Sequence, residues 1–209
     1  MAQKFHHYAL NANKNLIHIK DTEGFENEKY YCPNCGDEMI TKRGKVRNWH
    51  YAHKKADCSY DNYLHSLAEL KIKDWFNREQ TISLILDSHE QCDNHNTCKF
   101  YNKEQCKKAI QNRYNLKKFY TSCIIEHKYK GFIADIFCIN KKENGEPIFI
   151  EIYVTHKCEE EKLNSGIRII EIKIQNEEDI DEIISSNELK ENKKIKLFNF
   201  KKVKPTQRK

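Results

Sequence analysis

The sequence of 209 residues has few of the features that mark a fibrous, secreted or membrane-embedded chain. It contains only three prolines and six glycines, and 33% of its residues are charged, which excludes a collagen-like or linker-like composition. No apolar run approaches the roughly 20 residues that a membrane-crossing helix needs. The first residues, MAQKFHHYALNANKN, lack the basic-then-apolar order of a secretory signal. We therefore expect a soluble, cytoplasmic protein with no membrane partner.

Cysteine, in contrast, is plentiful. Nine cysteines in a reducing compartment are more consistent with metal ligands or small buried side chains than with disulfides. An odd number also fits a disulfide framework poorly. The length allows one sizeable core together with a small additional unit.

Positive charge is unevenly distributed along the chain. The net charge is +6, yet residues 190–209 carry nine Lys and Arg against one Glu, and residues 99–130 carry nine against two. Clustered positive charge favours a polyanionic partner such as DNA, because each phosphate contact releases counterions. For any single basic run, a solvated surface is the alternative.

Hydrophobic periodicity predicts a chain of the α/β class. Strands are predicted at residues 5–20 (two strands around an Asn-rich turn), 81–88, 131–140, 147–155 and 167–174. Helices are predicted at 61–79, capped by Asp61, and at 177–192. The strands at 131–140 and 147–155 should form a hairpin, and a short helix between the last two strands predicts that they are parallel.

These elements divide the sequence into three parts. Residues 1–58 predict a small zinc-stapled β unit, and residues 59–191 predict an α/β domain with a Cys-rich insert at 89–123. Residues 192–209 predict a basic C-terminal tail.

The segment CPNCGDEMITKRGKVRNWHYAH at 32–53 predicts a zinc site. Two thiolates and two imidazoles are a ligand set that zinc binds in structural sites. The predicted ligands are Cys32, Cys35, His50 and His53, with the two histidines on one helical face. Four protein ligands leave no open coordination position, so the predicted role is structural. Reduced cysteines with incidental histidines are the alternative.

A second cysteine-rich stretch at 92–106 predicts a further zinc site with less regular spacing. Its predicted ligands are Cys92, His95, Cys98 and Cys106. Cys123 or His89 are alternative members of this set, and a polar loop with buried thiols is the other interpretation.

Two carboxylates interrupt otherwise apolar strands. Asp135 ends GFIAD, and Glu151 begins EIYVTH. An ionised carboxylate in an apolar strand is costly unless it is paired or binds a cation. If the two face each other on adjacent strands, a Mg or Mn ion between them relieves their repulsion and can activate water against a phosphodiester. The alternative is that both point to solvent.

Several landmarks resemble one known family. YYCPNCG, KRGKVRNWHYAH, DNYLHSLAELKIKDWF, GFIADIF and IEIYVTHKCEEEKLNSGIRIIEI, spread over residues 5–175, resemble the competence protein CoiA and its relatives. ADIFCIN…PIFIEIY is similar to the Asp–x(n)–Glu–x–Lys core of PD-(D/E)XK nucleases, with Asp135 and Glu151 as its acidic pair. The resemblance implies a PD-(D/E)XK mixed sheet flanked by helices, behind the zinc unit, and a metal-dependent nuclease acting on DNA.

The sequence departs from that motif at the lysine position. Tyr153 stands there and is itself a candidate to assist the reaction. Lys162, about two turns along in the next helix, is the candidate replacement that would orient the attacking water. His156 at the strand end is a candidate proton carrier or phosphate contact. Asp61 takes the place of the family's helix glutamate, and His65, four residues on, faces the same side. Each of these residues has an ordinary structural role as its alternative.

The basic runs supply the predicted nucleic-acid contacts. These are Lys42, Arg43, Lys45, Arg47, Lys201, Lys202 and Lys204. Three functions are consistent with the sequence: a DNA nuclease in uptake, recombination or defence, a non-catalytic DNA-binding module, and a zinc-stabilised partner of recombination proteins. Cleavage with Mg or Mn indicates the first, and salt-sensitive binding without cleavage the second.

Overall fold

The computed structural model describes residues 4–24, 28–44, 48–55, 58–102 and 106–200. These residues form three sheets with few helices, so the predicted α/β class is confirmed. The strands are β1 (Tyr8–Leu10), β2 (Leu16–His18), β3 (Tyr30–Tyr31), β4 (Glu38–Lys42), β5 (His50–His53), β6 (Ser83–Gln91), β7 (Lys107–Asn115), β8 (Tyr120–Tyr129), β9 (Phe132–Asn140), β10 (Ile148–Tyr153), β11 (Arg168–Lys173), β12 (Glu188–Lys190) and β13 (Ile195–Phe198). The helices are α1 (Tyr60–Arg78), α2 (Glu160–Leu163) and α3 (Glu177–Ser186).

The N-terminal sheet has the strand order β2-β1-β3-β4-β5. The predicted pair of short strands is present, with Leu10 opposite Leu16. The turn between them is held by the Asn11 side chain, whose Oδ1 accepts hydrogen bonds of 3.0 Å from the N–H groups of Asn13 and Asn15. This local bonding of an Asn side chain to the backbone is why the Asn-rich run turns.

Helix α1 is the long helix that the apolar spacing predicts. Its buried side includes Leu64, Leu67, Ile72 and Trp75, and α1 packs on β8, β9 and β10 of the main sheet. The predicted cap, Asp61, is wrong by two residues. Ser59 caps the helix, because its hydroxyl accepts the Asn62 N–H at 3.1 Å. Within the described residues, no helix is long and apolar enough to cross a membrane.

The main sheet has the order β13-β11-β10-β9-β8 and is mixed. Strands β9 and β10 form the predicted antiparallel hairpin, with Ile148 opposite Cys138. Strands β10 and β11 are parallel, as the connecting helix predicts, with Glu151 opposite Glu171. One face of the sheet packs on α1 and α3, and a second apolar cluster around Phe149 covers the other face.

Two stretches that the sequence assigns to irregular structure contain strands. The predicted insert, 89–123, includes all of β7, which pairs with β6 in a small sheet of order β12-β6-β7. The predicted tail, 192–209, begins with β13, which pairs antiparallel with β11. Ile195 is buried while its charged neighbour Lys196 is exposed. The alternation typical of an edge strand is therefore present inside a stretch whose high charge suggests a tail.

The N-terminal sheet and the main domain share one hydrophobic core. A buried polar network also joins them. The Nδ1 of His7 lies 2.8 Å from Glu177 Oε2, and the Tyr63 hydroxyl donates to Glu177 Oε1 at 2.6 Å. Burial alone would raise the pKa of Glu177, but these hydrogen bonds hold it below its usual value. Three elements distant in sequence therefore meet at one carboxylate.

Candidate functional site

The candidate site lies where the pairing of β9 and β10 ends. The last backbone pair between these strands is Ile150 with Ile136. Beyond it, the Ile152 N–H donates to Asp135 Oδ2 at 2.7 Å instead of to a backbone carbonyl. The Asp135 side chain thus ends the ladder, and the strands part next to Glu151.

Glu151 is a carboxylate placed in the core of the sheet. Its residue exposure is 4%, and its Oε2 accepts a 2.7 Å hydrogen bond from Lys162 Nζ. Burial and then the charge of Asp135 raise the pKa of Glu151 to about 7, against the opposing effect of Lys162. Its Oε1 is buried and has no hydrogen-bond partner among the described residues. A buried acceptor left unmatched costs free energy, which a cation at this position would recover.

Lys162 reaches the site from α2. Its Nζ also donates to the Ile133 carbonyl at 2.7 Å, so two of its three N–H donors are used within the described part of the chain. Burial alone would lower the pKa of Lys162, but Glu151 holds it above its usual value. The lysine is therefore charged, fixed in position, and left with one donor for a ligand.

Helix α1 contributes a histidine and a second carboxylate. His65 Nε2 lies 3.3 Å from Asp135 Oδ2, and His65 Nδ1 lies 3.8 Å from Glu69 Oε2. The ligand atoms of His65, Glu69 and Asp135 all lie within 4.8 Å of one another. Burial alone would lower the pKa of His65, but Asp135 and then Glu69 hold it above its usual value. Burial raises the pKa of Glu69 to about 7, which His65 only partly opposes.

The side chains of His65, Asp135, Glu151 and Lys162 line one open cavity of about 390 Å³. The structure thus brings together five residues that the sequence proposes for catalysis. They are His65, Asp135, Glu151, His156 and Lys162. Glu69, beside them, was missed. The sequence does indicate that Glu69 is buried, because it follows His65 by four residues and lies on the same helix face as the apolar residues Ile72 and Phe76.

Two predicted catalytic residues lie elsewhere. Tyr153 is not among the described residues that line the cavity, and the Lys173 ammonium lies 5.7 Å from its ring centre. Asp61 likewise does not line it, and its Oδ1 accepts a 2.8 Å hydrogen bond from Lys4 Nζ. In the first turn of α1, Asp61 is one full turn before His65, and its shorter side chain ends at Lys4.

A cluster typical of zinc sites lies at the end of the N-terminal sheet. The ligand atoms of Cys32, Cys35, His53 and Cys58 are within 4.8 Å of one another. The tight turn after β3, closed by the Gly36 N–H and the Cys32 carbonyl at 3.0 Å, brings the first two together. Burial raises the pKa of Cys32 to about 12, so a thiolate here needs a cation beside it. Three thiols and an imidazole are a recognised zinc ligand set.

The fourth predicted ligand, His50, is replaced by Cys58. The sequence interpretation placed His50 and His53 on one helical face, but both lie on β5, where residues three apart point to opposite sides. His50 instead lies against Phe5 with the two rings tilted at 43° and their centres 4.6 Å apart, and its Nδ1 lies 2.8 Å from the Asn48 carbonyl. The signal for Cys58 was a further cysteine immediately before the predicted helix.

The second predicted zinc site is not assembled in the same way. The turns of this segment place the Cys92 N–H 3.2 Å from the Cys106 carbonyl. Among the described residues, however, no group of three or more ligand atoms within 4.8 Å includes Cys92, His95, Cys98 or Cys106. The alternative member Cys123 is buried beside Cys138 in the main sheet, with 2.7 Å between the two sulfurs. The second site stays a prediction.

The predicted nucleic-acid contacts differ in whether their charged groups are exposed or already hydrogen-bonded within the protein. Lys42 is exposed at the end of β4. Arg43 Nη2 donates to the carbonyl and the hydroxyl oxygen of Thr22, each at 2.6 Å, so its guanidinium holds the N-terminal unit together. Lys45, Arg47, Lys201, Lys202 and Lys204 lie outside the described residues.

The comparison with known families bears on the N-terminal part. Residues 11–61 match the model of the competence protein CoiA N-terminal domain. The chain carries a CoiA-type N-terminal domain. This match confirms the CoiA-like resemblance and includes all four residues of the zinc-type cluster, while the main sheet lies outside it. No curated protein and no solved structure matches the chain.

Proposed function

We propose that the protein is a metal-dependent nuclease that hydrolyses DNA phosphodiester bonds in a competence-related process. The CoiA-type N-terminal domain supports the process. The convergence of Asp135, Glu151 and Lys162 at one cavity supports the reaction. This triad has the acidic pair and the lysine of a PD-(D/E)XK nuclease, so we also propose that the main sheet belongs to that fold.

The observation that carries the proposal is the buried, unpartnered Oε1 of Glu151 next to Asp135. Carboxylate oxygens are the ligands that Mg²⁺ and Mn²⁺ prefer. A buried oxygen that has no hydrogen-bond donor is explained by a bound cation more readily than by a purely structural role. Asp135 and Glu151 are therefore the residues that would hold the ion. When bound, such an ion polarises the phosphodiester and lowers the pKa of a coordinated water.

The other side chains of the cavity have roles that follow from their contacts. Lys162 is charged and has an N–H left over after its two short hydrogen bonds, so it is suited to orient the attacking water and to stabilise charge developing on the phosphate. His156 is exposed at the cavity and is placed to exchange a proton with the leaving oxygen. Lys157 and Lys130, exposed at and beside the lining residues, are suited to contact the DNA backbone without reading sequence.

The zinc unit has a structural role in this proposal. Cys32, Cys35, His53 and Cys58 offer four ligands, which leaves no open position for substrate. The unit presents exposed Lys42 and, with the basic residues outside the described part, adds phosphate contacts. Recombination proteins are the further partners that a competence-related role implies.

The test is cleavage of labelled DNA by the zinc-loaded full chain. Linear single-stranded, linear double-stranded and circular DNA are incubated with Mg²⁺ or Mn²⁺, and metal omission rather than a chelator serves as the blank so that zinc is retained. Asp135→Asn and Glu151→Gln are expected to lower the rate by roughly a hundredfold or more. Glu171→Gln is the matched control, because Glu171 is a buried glutamate beside Glu151 that accepts the Cys158 N–H instead.

Cleavage of every substrate at the same rate by wild type and both variants would refute the catalytic role. DNA binding that weakens with salt and is never followed by cleavage would favour the non-catalytic DNA-binding module.

A further inference from the structure

A second buried carboxylate, which the proposed reaction does not use, lies beside the cavity next to His65 and Asp135. The Glu69 side chain is 7% exposed, yet no hydrogen bond joins it to another described residue, and its nearest cationic group is His65 at 3.8 Å. That distance is longer than a hydrogen bond. A carboxylate this buried is normally paired or bound to a cation.

Negative charge surrounds Glu69 on several elements. The negative charges of Asp135 on β9, Glu126 on β8 and Glu151 on β10 raise the pKa of Glu69 further beyond the effect of burial, and His65 opposes them. The His65 ring lies between two carboxylates, Asp135 and Glu69, and the Lys162 ammonium is already bonded to Glu151. A divalent cation would balance this negative charge.

The spacing of the ligand atoms suits such an ion. Metal–oxygen and metal–nitrogen bonds of about 2.1–2.2 Å place neighbouring ligands roughly 3 Å apart and opposite ligands roughly 4.3 Å apart. One ligand atom from each of His65, Glu69 and Asp135 lies within 4.8 Å of the other two. Because His65 and Glu69 are four residues apart on one helix, α1 presents both towards β9.

We propose that His65 and Glu69 are cation ligands together with Asp135, and that the imidazole makes this site select a first-row transition-metal ion over Mg²⁺. Mg²⁺ takes oxygen ligands and keeps several waters, whereas affinity for sites that include nitrogen rises along the series that starts at Mn²⁺. The inference rests on the proposed function insofar as Asp135 belongs to both ligand sets, and it names the metal class that the nuclease would use.

The experiment measures metal binding without DNA. The full chain, holding one equivalent of zinc in its thiol-rich cluster, is titrated with Mn²⁺ while the signal of free Mn²⁺ is followed by electron paramagnetic resonance. Mg²⁺ is then added as a competitor. Wild type is expected to bind Mn²⁺ at least about tenfold more tightly than Mg²⁺, and Glu69→Gln to weaken Mn²⁺ binding by about 10–100-fold.

His65→Asn is expected to reduce the preference for Mn²⁺ over Mg²⁺ towards unity. It should also abolish the nitrogen modulation in pulsed spectra of the bound Mn²⁺, a signature that a merely nearby histidine does not give. Asp61→Asn is the matched control, because Asp61 lies one turn before His65 on the same helix but outside the cavity. It should bind both ions as wild type does.

Mn²⁺ binding by Glu69→Gln and His65→Asn at wild-type affinity, or bound Mn²⁺ without nitrogen modulation in wild type, would overturn the inference. In that case His65 only bridges two carboxylates as a protonated ring. Correct metal behaviour without cleavage of any DNA would instead reject the nuclease and keep the metal site, so the two failures are distinguishable.

Discussion

Cys58→Ser is the substitution that best separates the structure from the sequence pattern. The zinc-type cluster includes Cys58 and leaves out His50. Structural zinc contributes on the order of 10 kcal/mol to the folding of small zinc units, so each of four ligands supplies about 2.5 kcal/mol. Because 1.4 kcal/mol is a factor of ten in a binding constant, this loss should weaken zinc binding by about 60-fold.

The matched variant is His50→Asn, which removes a ring that contacts Phe5 and does not belong to the cluster. Zinc affinity is measured by competition with a colorimetric chelator, and the free energy of unfolding is measured in urea. Cys32 belongs to the same core as α1, so zinc loss should destabilise the whole chain and not only the N-terminal sheet. Zinc retained by Cys58→Ser but lost by His50→Asn would refute this reasoning and restore the ligand set predicted from sequence.

Three further predictions concern charged groups. Lys162→Met is expected to lower the free energy of unfolding by about 3–5 kcal/mol, because it leaves buried Glu151 without its partner, and adding Glu151→Gln should recover much of this in urea unfolding. Glu177→Gln should destabilise by about 1–3 kcal/mol, most strongly between about pH 4.5 and 6.5 when unfolding is measured against pH. Glu177 raises the pKa of His7 from 6.5 against the effect of burial, so above that window His7 loses its proton and the charged pair is lost. The pKa of Glu177 is lowered from 4.5, so below that window Glu177 gains a proton and the pair is lost again. Arg43→Ala should lower stability while the affinity for fluorescent DNA changes little, since the guanidinium is already bonded within the N-terminal unit.

Each of these expectations has a contrary result. An unchanged free energy of unfolding in Lys162→Met would mean that the ion pair contributes nothing net. A Glu177→Gln effect that is the same at every pH would show that His7 is uncharged in the folded state. Weaker DNA binding by Arg43→Ala at unchanged stability would return Arg43 to the predicted nucleic-acid contacts.

The sequence predicts the fold well where burial follows one regular period. The apolar spacing of α1 and the runs that became β9, β10 and β11 were recognised because one face, or both faces, of each element is buried. Strand β7 was missed because its residues, KKAIQNRYN, are mostly polar, and its place in the fold depends on pairing with β6. Strand β13 was hidden by the lysines of the basic run around it.

The site was predicted in part for the same physical reason. Asp135 and Glu151 were recognisable because a carboxylate is unusual in an apolar strand. Glu69 was not, because a glutamate on a long helix is ordinary in sequence and becomes unusual only when the neighbouring sheet buries it. The sequence analysis did not include Cys58 because it placed His50 and His53 on one face of a helix. The two residues lie on strand β5, where residues three apart point to opposite faces.

The position of Lys162 shows why the departure at Tyr153 does not by itself exclude catalysis. A lysine two residues after the glutamate would come from the same strand, whereas Lys162 comes from α2 and still places its Nζ 2.7 Å from Glu151 Oε2. What the chemistry requires is a fixed ammonium beside the acidic pair, and the second bond of Lys162, to the Ile133 carbonyl on β9, fixes it against the strand that carries Asp135. The tyrosine lies outside the cavity beside Lys173, so its phenol does not compete for that place. The sequence interval between glutamate and lysine is therefore a weaker criterion for the proposed active-site geometry than the contact between their side chains.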